Sequence, residues 1–263
     1  MEALQLPGPP HGPPVGALLY RPHAATGPLP ALLWIHGGGY VVGSAAADDL
    51  QSRHLASEVG CAVLAVDYRL APESPHPAPL LDCYAALQWL HGPAAARGID
   101  TARLAVAGLS AGGGLAATVA QLACDRGDIP LLLQVLLQPM LDDRPAAPHP
   151  TAGEFAWTAA TNRFCWDALL DHGGATAAHS AAVRAATLDN LAPAYISVGA
   201  LDLLAEEDID YARRLMRAGV PTELHVYPGA CHGFYSIAPQ AAVARQHWHD
   251  VLAALRRTFY AAT

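Results

Sequence analysis

An apolar run ending at Gly108 gives way within a few residues to a helical pattern through Leu115, Val119 and Leu122. Between the two lies Gly108-Leu109-Ser110-Ala111-Gly112. No feature restricts the chain more, because a strand must become a helix across Ser110 with no room for a linker. So tight a turn presses both flanks against neighbouring backbone. Glycine at 108 and 112 permits that approach, and the strained serine is lifted above the strand end. The helix behind it aims its first N–H groups and positive dipole end at the hydroxyl, which suits a developing oxyanion. In a chain with 23 glycines, the motif by itself also fits an ordinary strand-to-helix turn. Its partners decide between the two.

Other apolar runs repeat the theme. Residues 31–35, 61–66, 131–138, 194–198 and 222–227 have strand character, and 3–6 and 15–20 are weaker strands. Helical periodicity covers 49–58, 77–91, 206–218 and 241–259. Alternation of this kind predicts βαβ units and a mostly parallel, eight-stranded sheet flanked by helices, an α/β class fold in one domain over residues 1–263. The alternation breaks over 141–191, where prolines open a stretch containing Phe155, Trp157, Phe164 and Trp166. An insertion after the sixth strand, above the carboxyl ends of the others, predicts a lid; one more core-packing helix is the competing reading.

Composition narrows the function. The formal net charge is -8 and Lys/Arg residues form no cluster, which argues against nucleic acid or an anionic membrane as partner. No apolar run approaches about 18 residues and no signal-peptide pattern opens the chain, so no membrane span and a cytoplasmic location are expected. Five scattered cysteines without a C-x-x-C pair predict neither a disulfide framework nor a zinc ribbon, and no metal site is expected.

Three polar residues stand just past predicted strand ends, in the order Ser110, Asp202, His232. Loops at the carboxyl ends of parallel strands face one crevice, so residues distant in sequence can meet there. A serine hydroxyl is a weak nucleophile near neutral pH; a histidine that takes its proton and a carboxylate that orients the histidine remedy this. His36-Gly37-Gly38-Gly39 follows the strand over 31–35, and such a loop supplies oxyanion donors alongside the residue after the nucleophile. The expected hole is thus Gly37, Gly38, Gly39 and Ala111. The charged turn from Asp67 to Glu73 reads as a hydrogen-bonded brace for neighbouring loops. Hydrolysis by a histidine base should fall as pH drops through roughly 6 to 7.

With these residues in place the sequence resembles the hormone-sensitive-lipase-like family of α/β-hydrolase esterases. The resemblance rests on His36-Gly-Gly-Gly-Tyr40 with Gly43, Asp67-Tyr-Arg-Leu-Ala-Pro-Glu73, Gly108-x-Ser-Ala-Gly-Gly113, Leu201-Asp202 with Glu206-Glu207, Tyr211-Ala-x-x-Leu215, Ala218-Gly-Val220 and His232-Gly-Phe234. It implies cofactor-free hydrolysis of small carboxylic esters with short to medium acyl chains, through an acyl-enzyme on Ser110. Tyr40, Leu109, Trp157 and Phe234 are expected to meet the substrate. An amidase or arylformamidase uses the same machinery, and some proteins of this fold are non-catalytic small-molecule receptors, though these typically lose a triad member. Two departures stand out. Leu109 precedes the nucleophile where the family usually has Asp or Thr, so a more apolar pocket floor is expected. The first strand begins almost at Met1, so the N-terminal part of the family's lid is expected to be reduced, leaving apolar surface for a second copy to cover in a homodimer or higher homo-oligomer.

Overall fold

A computed structural model describes residues 1–22, 27–144, 151–171 and 179–260. Among the described residues, eight strands form one sheet: β1 (Glu2–Leu6), β2 (Val15–Tyr20), β3 (Leu29–Ile35), β4 (Ala62–Asp67), β5 (Ile99–Leu109), β6 (Leu133–Leu137), β7 (Ala194–Gly199) and β8 (Thr222–Tyr227). Their spatial order is β1-β2-β4-β3-β5-β6-β7-β8. β2 pairs antiparallel with both β1 and β4, and every pairing from β4 to β8 is parallel.

Among the described residues, seven α-helices accompany the sheet: α1 (Asp49–Val59), α2 (Ala78–His91), α3 (Ala111–Arg126), α4 (Ala159–Leu170), α5 (Ala205–Arg217), α6 (Phe234–Ile237) and α7 (Ala242–Tyr260). The central strands are predominantly apolar because helices cover both faces. In β3 all seven residues are buried: Ala31, Leu33 and Ile35 face the core under α2, α3 and α5, while Leu32 and Trp34 face α1 and α7. Each large aliphatic side chain so buried contributes about 1.5–3 kcal/mol. The indole N–H of Trp34 donates to Asp48 at 2.8 Å, which satisfies the one polar group of that side chain.

The chain leaves β3 toward β4 on one side and returns to β5 on the other. The strand order therefore reverses between β3 and β5, and a crevice opens at their carboxyl ends. Ile35 lies in register with Gly108, so the glycine loop after β3 runs beside the turn after β5. The sequence reading missed one element here: the loop after β8 contains α6. The chain reverses at Gly233 (φ 69°), and one helical turn then buries Phe234 and Tyr235 against α7. In the connection expected over 141–191, α4 packs its Cys165 and Trp166 side inward. Residues 145–150 and 172–178 of that connection lie outside the described residues.

Candidate active site

Ser110 has φ 55° and ψ −118°, a conformation that only a tightly constrained turn maintains. A Cβ at Gly108 would lie 2.1 Å from the Gly112 carbonyl oxygen, and one at Gly112 would lie 2.1 Å from that of Ile35. No side chain fits at either place. The turn is also pinned from β6: the Ser110 N–H donates to the Leu137 carbonyl at 2.8 Å, and the Met140 N–H donates to the Ser110 carbonyl at 3.0 Å.

His232 stands in the loop after β8, Asp202 in the loop after β7. The imidazole Nε2 lies 2.9 Å from Ser110 Oγ, and Nδ1 lies 2.7 Å from Asp202 Oδ2. A carboxylate can only accept, so Nδ1 carries the proton and Nε2 of the neutral ring accepts from the serine hydroxyl. Asp202 is fully buried, and its other oxygen, Oδ1, receives the Leu204 N–H at 3.1 Å. The two loops are tied together by the Leu201 N–H, which donates to the Ala230 carbonyl at 2.9 Å. Residues separated by 122 and 30 positions are thus brought into one hydrogen-bonded relay.

The glycine loop closes the opposite wall. A Cβ at Gly37 would lie 3.5 Å from Ser110 Cβ, which places that residue directly beside the serine. Among the described residues, no hydrogen bond uses the N–H of Gly37, Gly38, Gly39 or Ala111. Gly39 (φ 61°) has Cys165 and Trp157 so close that a Cβ there would lie 2.4 Å and 2.9 Å from them. Behind the loop, His36 stacks on Tyr68 with centroids 4.2 Å apart, and its Nδ1–H donates to the Gly37 carbonyl at 2.7 Å. Burial lowers the His36 pKa and keeps the ring neutral. The Tyr68 hydroxyl donates to the His36 carbonyl, Asp67 receives the Ala45 N–H, and Arg69 makes a two-pronged ion pair with buried Asp82. The turn from Asp67 to Glu73 is a brace for the site.

The four residues expected at the substrate separate into two pairs. Trp157 is half-buried with its ring 5.4 Å from that of His232, and its indole N–H is fixed on Asn162 at 3.1 Å. Leu109 is also half-buried, with its side chain against Gly37. Tyr40 and Phe234 go elsewhere. Tyr40 is 2% exposed, packs against Trp166 and donates its hydroxyl to the Met140 carbonyl. Its φ of 68° turns the side chain down from the loop into the core. Phe234 is 5% exposed and sits among Tyr227, Tyr235 and His247, because α6 rolls it toward α7. Both are scaffold rather than crevice wall.

Sequence reasoning named Gln138 only as a strand end and Glu207 only within a motif, and gave neither a role in the site. Gln138 is the polar residue that closes the sixth strand run, at the same level as the other site residues, and that was its signal. Glu207 receives the N–H groups of Leu141 and Asp142, where the chain leaves β6 for the connection holding α4. Enclosure of its carboxyl, with negative Asp142 and Asp202 nearby, pushes its pKa up to about 8.

A strained serine on a strand-to-helix turn, relayed through histidine to aspartate on a mostly parallel sheet, defines the class of α/β-hydrolase-fold serine hydrolases. Comparison with known proteins gives the family. Residues 32–236 match the family model described as alpha/beta hydrolase fold, and the chain belongs to that family, among the hormone-sensitive-lipase-like carboxylesterases. It is 35% identical over 252 residues to Esterase LipI of Mycobacterium tuberculosis (strain ATCC 25618 / H37Rv), covering 92% of this chain and 78% of the relative. It is 37% identical over 222 residues to Ethyl acetate hydrolase of Pseudomonas putida, covering 82% and 70%. Among solved structures, Bacterial Heroin Esterase superposes with a TM-score of 0.94 at 40% identity, over 99% of this chain and 84% of that one.

Proposed function

We propose that the protein hydrolyses small carboxylic esters with short to medium acyl chains, using Ser110 as nucleophile. The observation that carries this is the unbroken relay from Ser110 Oγ through His232 to Asp202. Ser110 Oγ attacks the ester carbonyl carbon as His232 Nε2 takes its proton. Asp202 stabilises the imidazolium and holds its orientation. The carbonyl oxygen, now negative, is received by the N–H groups of the glycine loop (Gly37, Gly38 and Gly39) and of Ala111. One such donor supplies about 3 kcal/mol of transition-state stabilisation. When the C–O bond to the alcohol breaks, His232 returns the proton to the leaving oxygen. Water then enters, is deprotonated by the same nitrogen, and releases the acid from Ser110.

Trp157 and Leu109 border the reacting carbon in this reading, and the connection over 141–191 acts as a lid through α4 and Trp157. The relative named Ethyl acetate hydrolase supports small esters as substrates. Val42, Phe155 and Phe164 are exposed apolar residues on the glycine loop and the connection, which supports self-association over this rim; static light scattering at assay concentration tests it. All five cysteines are free, which fits a reducing, cytoplasmic setting. No described helix is long and apolar enough to cross a membrane.

A fluorophosphonate probe should label one serine per chain, Ser110, in the wild type and none in Ser110→Ala. Hydrolysis of p-nitrophenyl acetate should fall by on the order of 10⁶ in that variant. Labelling elsewhere, or hydrolysis that survives Ser110→Ala, overturns the reading. Matched p-nitrophenyl butyrate and p-nitrobutyranilide separate esterase from amidase action, with the ester expected to be faster.

A further inference from the structure

The loop bearing His232 is held from both flanks by one side chain. Gln138 Nε2 donates to the carbonyl of Cys231 at 3.2 Å, and Gln138 Oε1 receives the N–H of Gly233 at 2.7 Å. These are the residues immediately before and after the histidine. The amide can be oriented only one way: turned over, it would set oxygen against the Cys231 oxygen and N–H against the Gly233 N–H. Gln138 is fully buried, so both bonds form out of competition with water.

Its backbone is specialised as well. Gln138 has φ 48°, a left-handed conformation uncommon for a residue other than glycine, and its N–H donates to the Ser197 carbonyl at 2.7 Å. That conformation comes directly after Leu137, whose carbonyl holds the Ser110 N–H. Two residues further on, Met140 donates to the Ser110 carbonyl. Within four residues, one strip of chain grips the peptide of the nucleophile with its backbone and the histidine loop with a side chain. The reach from Ser110 Oγ to His232 Nε2 is therefore fixed inside a single short segment rather than across the two distant loops.

We propose that Gln138 is a positioning residue that sets His232 at proton-transfer distance from Ser110 by clamping Cys231 and Gly233. The proposal rests on the reading of Ser110 and His232 as nucleophile and base. It touches no substrate atom, so its effect is on the chemical steps and not on binding. A displacement of about 1 Å between reacting groups costs on the order of 10²-fold in rate.

The test compares wild type, Gln138→Leu and Gln138→Glu on p-nitrophenyl butyrate, with competent sites counted by fluorophosphonate titration and folding checked by thermal melting. Gln138→Leu removes both bonds and should lower kcat per titrated site by roughly 10- to 100-fold, with KM within about twofold of wild type. Gln138→Glu keeps the acceptor for Gly233; protonated, it still donates to Cys231, and ionised, it cannot, so its kcat should match wild type at low pH and fall toward that of Gln138→Leu as the carboxyl ionises. Should Gln138→Leu fail to fold, the nearly isosteric Gln138→Glu carries the test by the pH dependence of its kcat relative to wild type. Unchanged kcat per titrated site, or a raised KM at unchanged kcat, overturns the proposal. Ser110→Ala in the same assay keeps the two readings apart. Hydrolysis that survives it defeats the triad, whereas hydrolysis lost there but unaltered in both Gln138 variants defeats only the clamp.

Discussion

His232 and His247 are both buried, and their surroundings are opposite. Each nitrogen of His232 has a hydrogen-bond partner. Neither nitrogen of His247 has one among the described residues; its ring lies against Tyr235, with centroids 4.6 Å apart, and against Phe234, Tyr227 and Trp248. The aspartates repeat the contrast. Asp202 accepts from His232 and from the Leu204 N–H, while neither carboxylate oxygen of buried Asp208 has a partner among the described residues. Burial does not separate these pairs; backbone does. His232 and Asp202 stand on strand-exit loops whose neighbours still have free donors and acceptors. His247 and Asp208 stand on helices, where the main chain is already committed to its own hydrogen bonds. The first pair is held in one orientation and one tautomer. The second is kept neutral chiefly by burial, which, with Glu207 and Asp202 close by, raises the Asp208 pKa far above the usual carboxylate range and lowers that of His247 to about 3.

The sharpest way to break this contrast is to make the same substitution in both aspartates. Asp202→Asn preserves shape but offers the histidine an amide, which disturbs the tautomer that Nδ1 must hold. Its kcat should drop by about 10⁴, or about 5.5 kcal/mol of transition-state stabilisation. Asp208→Asn should leave kcat within about twofold, since a neutral carboxyl and a neutral amide differ little in a site that orients nothing. Steady-state rates on p-nitrophenyl acetate decide it. Equal losses in the two variants would show that the buried carboxyls act as one cluster.

The same distinction governs how far the sequence could be read. Sheet class, strand count and the meeting of Ser110, Asp202 and His232 were legible because each depends on local signals: apolar runs, Gly108 and Gly112 around a serine, polar residues just past strand ends. The glycine loop was legible for the same reason. Tyr40 and Phe234 were misplaced because side-chain direction depends on backbone that sequence does not display, a positive φ at Tyr40 and the helical turn after Gly233 at Phe234. The roles of Glu207 and Gln138 were missed because they consist of tertiary hydrogen bonds to backbone 66 and about 95 residues away. The bare pair is the least legible of all. On α5 and α7, Asp208 and His247 look like any polar residues of an amphipathic helix.

Glu207 lies between the two extremes, partnered by two N–H groups yet enclosed. Its folded pKa of about 8 stands above the ordinary 4.5, so the unfolded chain ionises first as pH rises. The stability that Glu207 contributes is complete below about 4.5 and is lost progressively up to about 8. Glu207→Gln keeps an oxygen for the Leu141 N–H and cannot ionise. Relative to wild type it should therefore gain on the order of 2 kcal/mol between pH 5 and pH 8, after allowance for the solvent that reaches part of the side chain. Urea unfolding at the two pH values measures it. A difference that does not change with pH would place Glu207 with the fully partnered groups, ionised in the folded protein.

His247 gives the smallest effect and the opposite sign. Its folded pKa lies below the unfolded value of 6.5, so the unfolded chain takes up the proton first on acidification. The stability at stake is complete above about 6.5 and drains away as pH falls toward 3. Between pH 7 and pH 5.5 this amounts to about 1 kcal/mol. His247→Phe replaces the imidazole with a ring that the surrounding aromatic side chains accept. Any packing penalty is the same at both pH values and cancels in the comparison. The variant should lose less stability than wild type over that interval, by about that 1 kcal/mol, while kcat at pH 7 stays unchanged. If urea unfolding shows parallel losses in the two proteins, His247 already finds a partner for its proton in the folded state, and the contrast with His232 reduces to one of position.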